Sequence, residues 1–425
     1  LYTSLVVIVQ NEATHAAICF GVYALFFAAY TFAQRKAMLG YLPTAYLPLS
    51  IIYALNYFNV DAWLPALTAL AVLYFVIGAA IRSKEKWSLV LRNSGLALGT
   101  ILSFSALFLL KESGGWYALV VGLLFMAEMA LSRDGWFEPG APILFSIGAF
   151  LILRDLNFER VTYHVLAYGI IWILADLLAH LTFTNPRPLK MVVRVVGGVL
   201  ALASYGFLFT ESDGWFAAFG FGLFTLLFLT VSLLYRQATL FYAFTLTLPL
   251  FVTFALREFD VTKWIHPVIV IAMIYYGAGF FLRLNKRAAG WDNTLLFSGL
   301  GLGVISSMAA PVLGGLDAAI PVAIAATLWA AEAFAKKNAW LALPANGLYL
   351  LGYFIILVEL NVDEPQFFSM GAALLGLFQH YLLVRSEARM GAFVMGMLSQ
   401  FVLLGTTYVE MINKNELIYF VVLFL

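Results

Sequence analysis

The sequence predicts an all-α polytopic membrane protein built from tandem antiparallel transmembrane helix hairpins of about 50 residues each. Composition gives the first indication, because 63% of the 425 residues are apolar and only 11% are charged, against about 25% charged in an ordinary soluble domain. Apolar runs recur from one end of the chain to the other, and acidic residues recur at a nearly constant interval in alternate breaks. These features leave no stretch for a soluble domain.

Each predicted span is an apolar run between two short polar breaks, and a helix of about 20 residues crosses a hydrocarbon core of about 30 Å. About sixteen full spans follow, at residues 13–33, 41–58, 63–81, 87–110, 116–131, 137–153, 161–183, 191–209, 215–235, 238–256, 264–282, 294–313, 318–335, 339–357, 367–384 and 390–411. Residues 1–10 and 417–425 resemble two partial spans. We therefore expect the chain to be a portion of a longer protein.

Prolines agree with these spans. Six of them lie near predicted helix starts, where a missing N–H costs little: Pro43, Pro65, Pro142, Pro267, Pro321 and Pro344. Three lie deeper, at Pro48, Pro249 and Pro311, and are predicted to kink their helices.

Charge is divided between the two ends of the spans. Face A denotes residues 34–36, 82–92, 128–138, 176–194, 236, 283–292, 332–337 and 385–389; it carries 18 Lys/Arg and 8 Asp/Glu, whereas the rest of the chain, face B, carries 6 and 15. By the positive-inside rule face A is cytoplasmic. The basic loops 82–86, 283–287 and 385–389 are thus predicted to be cytoplasmic, in a bacterial plasma membrane.

The acidic residues of successive face-B turns define the repeat. They are Glu12, Asp61, Glu112, Glu159, Glu211, Asp260, Asp317, Asp363 and Glu416. We expect residues 1–425 to form a single transmembrane repeat domain whose nine hairpins, the first and last truncated, each pack against the next. Their approximate bounds are 1–36, 37–86, 87–135, 136–188, 189–236, 237–290, 291–338, 339–387 and 388–425.

Three carboxylates near the face-A ends of spans form the candidate polar cluster: Glu128, Asp176 and Glu332. An ionised carboxylate at the bilayer centre costs about 2.5–3.5 kcal/mol or more, so each should face protein or reach the interface. We expect Arg92 to pair with Glu128 and Arg194 with Asp176.

Further partners lie one turn away on the same helices. Lys336 follows Glu332, His180 follows Asp176, and His380 takes the corresponding place in a later hairpin. The cluster is either a proton or cation path on the cytoplasmic half or a set of paired charges that fixes hairpin register. The middles of most spans offer only Ser, Thr, Tyr and Gly, which favours the second interpretation.

Small residues concentrate between residues 294 and 335, and they predict close helix packing there. The candidate interface consists of Gly299, Gly301, Gly303, Ala323 and Ala326. This hairpin is expected to be the most enclosed of the series, or to meet another subunit.

Other chemistries find little support in the sequence. We expect no catalytic residue, no metal and no cofactor, because nucleophile motifs, phosphate-binding loops and haem-ligand spacing are missing. The acidic turn 359–364 has oxygens that suit a hard cation, but Asn and Asp are also ordinary turn residues. Cys19, the single cysteine, has no intrachain partner for a disulfide.

Two functions remain. The first is a non-enzymatic scaffold or interaction subunit whose partners are the lipid bilayer and other membrane subunits, with no nucleic acid. The alternative is a transporter or channel for an ion, lipid or small hydrophobic solute that uses the cytoplasmic-side carboxylates. A water-filled cleft from Glu128, Asp176 or Glu332 to face B would support the transporter or channel and contradict the scaffold.

Overall fold

The protein is all-helical over the residues that its computed structural model describes, 13–81, 84–182, 187–285 and 290–414. Helices account for 87% of the structure, and the described ranges contain no strand. The α-helices are α1 Ala13–Gln34, α2 Tyr41–Tyr57, α3 Trp63–Ala80, α4 Glu85–Phe108, α5 Gly114–Ser132, α6 Gly140–Asp155, α7 Val161–Thr182, α8 Lys190–Phe209, α9 Gly214–Tyr235, α10 Phe241–Glu258, α11 Ile265–Asn285, α12 Trp291–Ala309, α13 Ala319–Lys336, α14 Ala342–Glu359, α15 Pro365–Arg385 and α16 Arg389–Lys414.

Sixteen helical segments in these ranges are long and apolar enough to cross a membrane, which confirms the predicted helical class and the predicted number of long apolar helices. The two predicted partial spans, 1–10 and 417–425, lie outside the described residues. Pro48 lies inside α2 and Pro249 inside α10, whereas Pro311 lies in the 3-10 turn Ala310–Leu313 that follows α12.

Short 3-10 turns lead into several helices on face A. Asp134 and Asn338 cap two of them, because each side-chain oxygen accepts a hydrogen bond from the backbone N–H two residues later, at 3.1 Å from Trp136 and 3.0 Å from Trp340. These side chains satisfy amides that a helix start leaves unpaired.

Contacts divide the chain into two compact units, Leu1–Thr210 and Glu211–Leu425. The first contains α1–α8 and the second α9–α16. Within each unit the most extensive packing joins helices that are connected on face A, namely α1 with α2, α3 with α4, α5 with α6 and α7 with α8, and then α9 with α10, α11 with α12, α13 with α14 and α15 with α16. Each predicted hairpin consists instead of two helices that are connected on face B. The most extensively packed helix pairs are therefore shifted by one helix relative to the predicted hairpins. The nine-hairpin division stays a prediction.

Corresponding contacts occur at corresponding places in the two units. Thr44 on α2 hydrogen-bonds Ser94 on α4 at 2.8 Å, and Thr245 on α10 hydrogen-bonds Ser298 on α12 at 2.7 Å. Each unit also places the same kind of residue where its third and fourth helices cross, Gly95 in α4 and Gly299 in α12. The internal architecture of one unit is therefore echoed in the other.

Each unit has its own apolar core. In the first unit Leu67, Ala106, Ala118 and Leu151 are fully buried members of a cluster spanning α3 to α6. In the second unit a comparable cluster spans α11 to α14 and contains many alanines.

Only part of the small-residue interface predicted in the second unit packs closely. A Cβ at Gly299 would lie 2.7 Å from the Ala272 oxygen and from the Tyr276 nitrogen, and Gly303 and Ala326 are buried. Gly301 and Ala323 take no part in this packing, because both are exposed and a Cβ at Gly301 would meet nothing within 4 Å. Residues two positions apart lie on opposite faces of a helix, so Gly301 points away from the side on which Gly299 and Gly303 lie.

The same hairpin is not the most enclosed of the series. The buried share is 39% for Trp291–Leu313 and 33% for Leu316–Lys336, but 44% for Gly114–Ser132. Alanine-rich helices bury little area per residue, so close approach does not make them the best covered.

The two glycines make a matched pair of substitutions on one helix. Gly299→Ala is expected to destabilise the second unit by about 1–3 kcal/mol, because the methyl group overlaps the α11 backbone. Gly301→Ala should be neutral or stabilise the helix by up to about 1 kcal/mol, since alanine is the better helix former. Chemical unfolding in detergent, followed by circular dichroism, compares them. Equal effects of the two substitutions would contradict the described crossing.

Candidate functional site

The predicted charged residues form ion pairs at the face-A ends of the helices. Arg92 on α4 donates from Nη1 to both carboxylate oxygens of Glu128 on α5, at 2.9 Å each. The Glu128 side chain has no exposed surface and that of Arg92 is 11% exposed. This is the pair that the sequence predicts.

A second group of charges joins α6, α7 and α8. Arg194 donates from Nε to Asp176 Oδ2 at 2.9 Å, as predicted, and Arg187 donates to Asp176 Oδ1 at 2.6 Å. Arg187 also donates from two of its nitrogens to Glu138, with Nε at 2.9 Å from Oε2. We call Glu138, Asp176, Arg187 and Arg194 the four-charge network.

The four-charge network is largely removed from solvent. Side-chain exposure is 5% for Arg187 and 1% for Glu138. Burial disfavours the charge on Arg187, but the hydrogen bonds and charges of Glu138 and Asp176 outweigh that penalty and raise the pKa of the guanidinium above its ordinary value. Arg187 therefore stays charged, and it balances two carboxylates that would otherwise repel each other.

The third site lies in the second unit, around Glu332 on α13. Arg283 on α11 forms a two-pronged pair with it, with both nitrogen to oxygen distances 3.0 Å, and Lys336 Nζ lies 2.9 Å from Oε1. The Tyr276 hydroxyl donates to Oε2 at 3.3 Å. Lys336 is the partner that the sequence predicts, whereas Arg283 is not.

Glu128 and Glu332 occupy corresponding positions, on the fifth helix of each unit, but receive their cations from different helices. Neutralisation of the carboxylate is thus common to both units, while its geometry is not.

The histidines have different surroundings. His180 is half-buried on α7, one turn after Asp176. His380 on α15 has Nδ1 2.6 Å from the Ala392 carbonyl oxygen. Beside it Gln379, fully buried, accepts a hydrogen bond from Asn346 at 2.7 Å and donates to the Ala339 carbonyl at 2.8 Å. The last helices of the second unit are therefore held by neutral groups where the first unit uses charges.

Three site residues were missed by sequence reasoning: Glu138, Arg187 and Arg283. Their signal is spacing, because Glu138 pairs with Arg187 and Arg283 with Glu332 across 49 residues each. That separation is close to the predicted repeat length of about 50 residues. A search for opposite charges 49 residues apart on face A would have identified both pairs.

Two acidic residues on face B, Asp155 and Glu359, hold neighbouring turns. Asp155 at the end of α6 accepts the Ser113 backbone N–H at 2.9 Å, and Glu359 at the end of α14 accepts that of Gly315 at 2.9 Å. Each carboxylate thus stabilises a neighbouring turn. In the described ranges His, Cys, Asp and Glu form no group of three that could hold a metal ion.

Comparison of the chain with family models, curated proteins and solved structures finds no match. Its function is therefore argued from the geometry.

Chemically, the described charge sites are suited to holding helices together. An arginine guanidinium keeps its proton at all physiological pH values and holds a carboxylate with a rigid fork of donors. A carboxylate bound in this way has few lone pairs left for a proton or a cation. The same geometry fixes the depth of one helix against the next.

Proposed function

We propose that the chain is a non-enzymatic integral membrane protein, a scaffold or interaction subunit built from repeated hairpins of about 50 residues. The observation that carries this proposal is the closure of Glu128, Asp176 and Glu332 by arginines of neighbouring elements. These arginines leave the carboxylates as cross-links between helices. An ion path needs groups that bind and release their ion instead.

Insertion in a membrane is supported by the outer surfaces of the helices. Large apolar side chains are exposed on them, among them Phe108 at 80%, Met308 at 76% and Phe334 at 87%. Soluble monomers seldom expose contiguous apolar patches of this kind. In lipid the same side chains meet acyl chains, and the helices satisfy their own backbone hydrogen bonds.

We further propose a bacterial plasma membrane, with face A and its loops 82–86, 283–287 and 385–389 in the cytoplasm. The excess of basic residues on face A supports this orientation through the positive-inside rule. The partners are lipids and other membrane subunits.

A flux measurement tests the proposal against the transporter alternative. The full chain is reconstituted in liposomes that contain a pH-sensitive dye, and a potassium gradient with valinomycin supplies the potential. Proton or cation flux should equal that of protein-free liposomes, both for the wild type and for Glu332→Gln. Flux in the wild type that disappears in a folded Glu332→Gln variant would establish an ion path and overturn the scaffold proposal.

A further inference from the structure

An open cavity of about 610 Å³ lies in the second unit at the face-B end of α10. It is lined by the last turns of that helix and the turn that leads to α11. The lining residues are Thr253, Phe254, Arg257, Asp260, Val261, Thr262 and Trp264. One cation and one anion thus share a cavity that also has aromatic walls.

The two charges are available to a ligand. Arg257 and Asp260 are both exposed, and neither forms an ion pair with a described residue. Asp260 has a φ of +56°, which turns the chain sharply after α10. Asp and Asn adopt this left-handed conformation more readily than other non-glycine residues.

The cavity lies at the level of lipid headgroups if the helices span the bilayer, so this inference rests on that part of the proposed function. Tryptophan and arginine are favourable at this depth, because each has an apolar part and a polar end. A guanidinium matches a phosphodiester through paired N–H donors. A carboxylate accepts hydrogen bonds from a primary ammonium.

We propose that the cavity binds the headgroup of a zwitterionic phospholipid that carries a phosphodiester and a primary ammonium. Arg257 binds the phosphodiester and Asp260 binds the ammonium. Phe254 and Val261 provide apolar surface for the start of the acyl chains. A quaternary ammonium is a poorer ligand, because it has no N–H to donate to Asp260.

The first unit supplies the control. Its sequence Ala54-Leu55-Asn56-Tyr57-Phe58-Asn59-Val60 matches Ala255-Leu256-Arg257-Glu258-Phe259-Asp260-Val261 in the second unit. Asn56 stands for Arg257 and Asn59 for Asp260, and Asn59 has a φ of +51°. Arg257→Asn and Asp260→Asn therefore reproduce a backbone that the chain already forms elsewhere.

The test uses the full chain in nanodiscs, with lipid binding measured by native mass spectrometry after release into detergent. The nanodiscs contain phosphatidylethanolamine, phosphatidylcholine or phosphatidylglycerol. Phosphatidylethanolamine should be retained most strongly by the wild type. Arg257→Asn and Asp260→Asn should each weaken its retention by about tenfold or more, the effect of losing a charge-assisted hydrogen bond. Lys263→Asn, which changes a neighbouring charge outside the cavity lining, should leave it unchanged.

Several results would overturn the assignment. Equal retention of the three lipids is one, and retention that Asp260→Asn does not change is another. Competition by free glycerophosphoethanolamine or inorganic phosphate at the same concentration as the lipid would indicate a soluble ligand instead. Carbonate extraction of the cell membranes from which the protein is purified separates this failure from that of the proposed function. Protein that leaves the membrane refutes insertion, whereas protein that stays without binding the lipid refutes only the cavity's assignment.

Discussion

Arg187→Leu is expected to lower the free energy of unfolding of the first unit by about 3–5 kcal/mol, the typical cost of removing one partner from a buried ion pair. Arg187 serves two carboxylates, Glu138 and Asp176. Its removal leaves Glu138, which is 1% exposed, without its described cation. Asp176 keeps Arg194, so the larger part of the loss comes from Glu138.

The measurement is reversible chemical unfolding in detergent, followed by circular dichroism. Lys263→Leu is the control, because Lys263 and Asp317 form an ion pair with side-chain exposures of 61% and 45%. Water and salt screen such a pair, so its loss should change stability little. If the two substitutions had the same effect, the buried network would contribute no more than a surface pair.

A second variant separates charge from packing. Arg187→Leu combined with Glu138→Leu removes both the cation and the unpaired carboxylate, and it should recover most of the lost stability. If the double variant does not recover stability, Arg187 stabilises the first unit through the conformation of the residues just before α8 and not through its pair with Glu138.

The helices of this protein could be predicted from the sequence because apolar runs of about 20 residues between short polar breaks are typical of long apolar helices. The predicted span 191–209 corresponds to α8, Lys190–Phe209. Which neighbour each helix packs against most closely could not be predicted, since both neighbours are joined by short connections. The choice depends on details such as Gly95, where a Cβ would lie 2.6 Å from the Ala71 oxygen.

The candidate site was predictable where both partners lie on helices. Arg92 and Glu128 lie at similar distances from the face-A ends of their helices, so their depths match. The same is true of Arg194 and Asp176. Arg187 precedes α8, and a count along a helix gives no direction for a side chain in a loop. Arg283 lies near the end of α11, where its long side chain can point toward solvent or toward α13.

Arg92→Leu alone is expected to destabilise the first unit by about 3 kcal/mol, because Glu128, without exposed surface or a described cation, must then either stay charged in an apolar setting or take up a proton. The double variant Arg92→Leu with Glu128→Leu should unfold within about 1 kcal/mol of the wild type or be more stable, since a well-packed apolar pair avoids the desolvation of both charges. Glu128→Leu alone should cost less than Arg92→Leu, because the arginine, 11% exposed, can extend toward water.

The three variants together form a double-mutant cycle whose coupling energy isolates the pair. Unfolding in detergent supplies the stabilities, and the flux assay in liposomes supplies the functional comparison. A double variant as unstable as Arg92→Leu would show that the buried carboxylate is not the source of the loss. A stable double variant with unchanged membrane behaviour would mean that this pair serves to hold α4 against α5, as a structural cross-link requires.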